Sequence, residues 1–174
     1  MNSATTLPDA APIRAPRLLG LYLLLIIIAA IEAFDGLSHA PMLFGDMSEI
    51  PGPGLGGAII KAYVASHPLL ALAALGFATV GRLRHAIMAL GALVLMTWLN
   101  FMPSVVWHGL DFRGVSAFET PVRMIAFPLM AACAIALAAR SQWLGLATLL
   151  VSIPTLYGVF AVIAFGIGVI LYGF

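Results

Sequence analysis

Charged residues make up only 9% of this 174-residue chain, where an ordinary soluble domain carries about 25%. Hydrophobic residues make up 63%. So few charges cannot clothe a water-soluble core, and an integral membrane protein is the class that fits. A single lysine, Lys61, and a net charge of +1 exclude a basic surface for nucleic acid. A single cysteine, Cys133, excludes an internal disulfide, and its apolar surroundings read as packing. There is no nucleotide-binding glycine motif, no CxxC pair, no serine-nucleophile motif and no internal repeat. No small-residue cleavage site follows the first apolar run, which argues against a cleaved signal peptide.

What is present is a series of long apolar runs. Crossing ~30 Å of hydrocarbon takes about 20 helical residues. The runs predict an all-α bundle of five transmembrane helices, at about 18–39, 58–80, 86–107, 120–139 and 143–172. They form one membrane domain, 17–174, preceded by a polar, proline-rich, flexible cytoplasmic segment, 1–16. The one long loop, 40–57, holds Pro51, Gly52, Pro53 and Gly54, which rule out a regular helix there. Residues 68–80 alone are too short to span, so Pro68 must lie inside the second helix and free a carbonyl. The fifth run exceeds one crossing, so it is tilted, kinked at Pro154, or protrudes.

Charge sets the orientation. Arg14, Arg17, Arg82, Arg84 and Arg140 fall at one end of the five spans, which the positive-inside rule makes cytoplasmic. The N-terminus is then inside and the C-terminus outside, in a membrane expected to be the bacterial inner membrane. Six of the seven acids fall toward the opposite end.

The polar residues there are patterned. In IEAFDGLSHAP, Glu32, Asp35 and His39 fall at i, i+3 and i+7, within about 60° of a helix circumference. The length requirement draws both acids into the membrane, where charges face a bundle interior or a wet cavity. The third span carries Thr97, Asn100, Ser104, His108 and Asp111 on one face. These two stripes are expected to face each other, with His67 of the second span beside them. Glu119 and Arg123, at i and i+4, are placed to pair.

Carboxylate with imidazole is the donor set of copper, zinc or iron sites. Asp35, His39, His67 and His108 are therefore the expected metal ligands. Glu32, Asn100, Ser104 and Asp111 would be their supporting or proton-relaying neighbours. Met42, Met47 and Met102 would add soft donors suited to copper. The D-x-x-x-H spacing of Asp35 and His39 resembles the copper-binding helix of the membrane monooxygenase C subunit, over those two residues alone. Haem b, held axially by His67 and His108, is the other redox option. Either would suit a redox enzyme or its membrane subunit. The alternative is a small proton- or cation-coupled transporter in which Glu32 and Asp35 titrate. A third reading is a structural or assembly subunit, whose partners beyond lipid are a second copy or a membrane complex.

Overall fold

The computed structural model describes residues 15–38, 41 and 54–173. Among these residues all regular structure is helical, with five helices long and apolar enough to cross a membrane. We number them α1 (Ala15–Ser38), α2 (Leu55–Thr79), α3 (Leu83–His108), α4 (Ser116–Ala139) and α5 (Leu144–Tyr172). Helices suit a bilayer because each satisfies its own backbone polar groups. The expected spans are recovered with displaced ends, the largest shift being at α4, which starts at Ser116 rather than about 120.

Neighbours in sequence are neighbours in space. α2 packs on α1 and α3, α4 packs on α3 and α5, and α5 closes back on α1. Short turns at residues 80–82 and 140–143 join α2 to α3 and α4 to α5. Gly81 supplies a positive φ of 76° in the first turn, and its carbonyl accepts a hydrogen bond from the Tyr22 hydroxyl at 3.2 Å.

The core is concentrated toward this turn-bearing, arginine-rich end. Leu25, Ile28, Ile87, Leu90 and Val151 are buried there among Ala29, Ala74, Ala78, Ala86, Ala134, Ala138 and Ala147. Alanine at so many contacts lets helix backbones approach closely. Toward the acid-bearing end the core thins to Ala33, Ala71 and Leu93. Phe160, Val162, Phe165 and Ile170 of α5 are exposed, an apolar surface suited to lipid. Cys133, expected to pack, is exposed on α4.

Pro68, Pro103 and Pro154 all lie inside assigned helices. The placement of Pro68 follows from the length requirement. Pro154 leaves α5 a single helix of 29 residues, about 43 Å at 1.5 Å per residue. That exceeds the ~30 Å of bilayer hydrocarbon.

Candidate functional site

The site begins on α1, where Glu32 and Asp35 are one turn apart. Glu32 is drawn into the bundle, its side chain 15% exposed, while that of Asp35 is 55% exposed. His67 of α2 meets both: its Nε2 is 3.5 Å from Glu32 Oε2 and 3.9 Å from Asp35 Oδ2. The reason for this proximity is Gly36. A Cβ on it would lie 2.8 Å from His67 Nδ1 and 3.0 Å from the Cα of Pro68. Only glycine lets α1 and α2 cross so closely with an imidazole between them.

The other Glu32 oxygen is held from α5. Thr148, Ser152 and Thr155 fall on one face of that helix and are buried. Thr148 and Ser152 donate to carbonyls one turn back in their own helix, as buried hydroxyls commonly do. Thr155 instead donates across the bundle to Glu32 Oε1, at 2.6 Å. One carboxylate thus ties α1 to α2 and to α5.

Beside this cluster lies an open cavity of about 580 Å³, lined from all five helices. Besides Glu32, Asp35, His67 and Thr155, its wall is mostly apolar and rich in aromatic rings. Tyr63 stacks obliquely on His67, the ring centroids 5.1 Å apart. Phe127 meets Tyr157 edge to face at 5.5 Å. Arg123 enters from α4: Nη2 is 3.4 Å from Glu119 Oε2, the guanidinium lies 5.8 Å from the Tyr157 ring centroid, and the buried Nε has no hydrogen-bond partner among the described residues. Tyr157 also donates to Glu119 Oε1, at 3.3 Å.

Arg123 stands in a turn of π-helix, Val122–Ala126, which interrupts α4 and is closed by the Phe127 N–H bonding the Val122 carbonyl. Such turns concentrate at functional sites. Two prolines flank it. Pro128 has no N–H, so the Met124 carbonyl, four residues earlier, loses its helical partner. Trp98 replaces it: the indole Nε1–H donates to that carbonyl at 3.0 Å, which holds the ring in the cavity wall. Trp98→Phe is expected to leave the carbonyl unpaired and to lower stability by about 1–3 kcal/mol, read from thermal unfolding in detergent.

The structure brings only part of the expected set together. Glu32, Asp35 and His67 meet, and of the α3 stripe Thr97 joins them in the cavity wall. Asn100, Ser104, His108 and Asp111 lie outside that lining. His108 is exposed at the end of α3, its Nδ1 3.2 Å from the Ser104 carbonyl. Asp111 accepts a hydrogen bond from the Arg113 backbone N–H at 3.0 Å. Of the two imidazoles expected to hold a haem, His67 lines the cavity and His108 does not. His39, Met42 and Met47 lie outside the described residues. Among the described residues no group of three or more His, Cys, Asp or Glu side chains is disposed to hold a metal ion.

Three residues outside the expected ligand set belong to the site. Thr155 reads as mild polarity, but its spacing from Thr148 and Ser152 marks a polar face. Trp98 reads as packing, yet Pro128 signals a carbonyl needing a donor. Arg123 is placed as the partner of Glu119, and that pair is observed. Its position in the cavity wall depends on the π-turn, which no residue pattern announces. Searches of family models, curated proteins and solved structures return no match to this chain.

Proposed function

We propose that the chain is a small proton-coupled membrane carrier in which Glu32 exchanges a proton as substrate occupies the cavity. The observation that supports this reading is Glu32 itself. It is an acid at membrane depth on α1, 15% exposed, and its carboxylate bridges His67 and Thr155 on the wall of a 580 Å³ cavity. An ionised carboxylate in so apolar a setting needs a compensating charge, from a proton, a protonated imidazole or a bound substrate. Exchange among the three couples substrate to proton. Asp35 and His67 are the nearest groups able to pass that proton on. On this reading the arginine-bearing end faces the cytoplasm of a bacterial cell.

Proteoliposomes containing a trapped pH indicator test the proposal. External amines, carboxylates and neutral solutes are added in turn. At least one class is expected to move protons in wild-type vesicles and not in Glu32→Gln vesicles. If the two respond alike to every class, the carrier reading fails.

The metal reading of the same residues rests on His39 joining Asp35 and His67. Metal analysis after metal-replete expression is expected to give well under one ion per chain, unchanged in His67→Ala. Stoichiometric metal that is lost in His67→Ala would return the site to metal chemistry.

A further inference from the structure

We propose that the cavity binds a neutral, lipid-soluble ring compound of the quinone class, whose carbonyl oxygen accepts a hydrogen bond from Arg123. This binding goes beyond the carrier reading and does not rest on it.

A donor without an acceptor stands in the cavity wall. Among the described residues, Arg123 Nε is the buried side-chain polar atom that has no hydrogen-bond partner. A buried donor left unpaired keeps its full desolvation penalty, and a ligand oxygen would remove it. Neighbouring donors in the wall are engaged. Trp98 donates to the Met124 carbonyl, Tyr157 to Glu119, Thr155 to Glu32, and Thr97 to the Leu93 carbonyl at 3.0 Å. Arg123 also has latitude to move. Its side chain is 38% exposed, and its 3.4 Å contact with Glu119 is longer than the ~2.7–2.9 Å of a charge-assisted hydrogen bond. A modest turn of this side chain presents the Nε–H to an oxygen in the space it lines.

Charge selects a neutral ligand. The guanidinium already faces the Glu119 carboxylate and the Tyr157 ring, so it lacks an acceptor rather than a counterion. A cation would be repelled by Arg123. A second carboxylate would have to share one guanidinium with Glu119, and an uncompensated charge at membrane depth is costly. A carbonyl oxygen supplies the acceptor and brings no charge.

The rest of the lining suits a flat ring. Phe34, Tyr63, Trp98, Phe101, Phe127 and Tyr157 surround the space, and rings pack on such walls offset or edge to face. Its 580 Å³ falls within the ~300–1,000 Å³ of small-molecule sites. Phe34, Val162 and Ile163 line the cavity yet are 80%, 72% and 51% exposed. The cavity therefore meets the bundle surface at apolar side chains of α1 and α5, where a ligand dissolved in lipid can enter. Binding involves no electron transfer.

2,3-Dimethyl-1,4-naphthoquinone is a suitable probe. It is uncharged, and it has no free quinone-ring position for the exposed Cys133 thiol to attack. Equilibrium dialysis of the purified full chain in detergent, against matched empty micelles, is expected to show saturable binding. 2,3-Dimethylnaphthalene, which has the rings without the oxygens, and 2-naphthoate are expected to bind at least about tenfold more weakly. Arg123→Lys keeps a cation beside Glu119 but removes the Nε donor. It is expected to weaken the quinone about tenfold and to leave the hydrocarbon unchanged, which a misfolded protein would not do. Phe34→Leu alters an exposed ring and is expected to weaken both probes about threefold. Absence of saturable quinone binding would overturn the site. Equal affinity for quinone and hydrocarbon, or equal loss of both in Arg123→Lys, would overturn the role of Arg123. Tighter binding of naphthoate than of quinone would overturn the neutral class. Quinone binding that is indifferent to both substitutions would overturn the assignment to this cavity. The carrier reading is tested by proton movement and this site by binding, so either can fail alone.

Discussion

Glu32→Gln is expected to abolish substrate-driven proton movement while leaving the fold in place. The amide has the shape of the carboxylate, and its oxygen can still accept the Thr155 hydroxyl, so the α1–α5 link survives. What is lost is the charge facing His67. The amide carries no charge to desolvate, which offsets the weakened contact with His67, so the melting temperature is expected to hold. That combination separates function from architecture. A purely structural pin would lose stability when altered; a proton-exchanging acid loses activity and keeps stability. Asp35→Asn is expected to have a smaller effect, because the Asp35 side chain is 55% exposed against 15% for Glu32. Equal loss in the two variants would shift the proton-exchanging role to the pair. Full activity in Glu32→Gln would remove Glu32 from the mechanism.

Gly36→Ala is expected to be the most damaging single-methyl change in the α1–α2 contact. The added carbon would meet a ring nitrogen at 2.8 Å and a backbone carbon at 3.0 Å, so α1 and α2 must separate or His67 must leave. Overpacking of this kind costs about 1–3 kcal/mol. The displaced imidazole would lose Glu32 as well, so activity falls with stability. Gly20→Ala and Gly76→Ala are suitable controls in the same two helices, since a Cβ at either position meets nothing within 4 Å. Each is expected to be neutral or to gain up to about 1 kcal/mol from better helix propensity. Combining Gly36→Ala with His67→Ala makes room for the methyl and is expected to recover part of the stability without activity. The thermal shifts of the four proteins form a double-mutant cycle. A cycle that closes additively would show that Gly36 and His67 do not share space.

Hydrophobic run length made the five helices legible, and helical spacing brought Glu32 and Asp35 to one face. Both signals are local, and both constrain one helix at a time. Which helices meet is a different kind of information. The α1 stripe was expected to face the α3 stripe, but Glu32 meets His67 and Thr155 instead, and of the α3 stripe only Thr97 joins the cavity wall. The deciding residue is Gly36, whose missing side chain permits the α1–α2 contact. A glycine in an apolar run does not reveal what will occupy the space it leaves. The cavity is similarly nonlocal. Its lining comes from all five helices, so no single run of sequence shows it.

The hydrogen bond from Trp98 to the Met124 carbonyl has an optical consequence. Of the three indoles, Trp107 and Trp143 are 82% and 75% exposed, while Trp98 alone lies in the cavity wall with its N–H engaged. Its emission depends on that bond and on whatever stacks against the ring. Occupancy of the cavity would therefore register as a change in one fluorophore out of three, in the unlabelled protein.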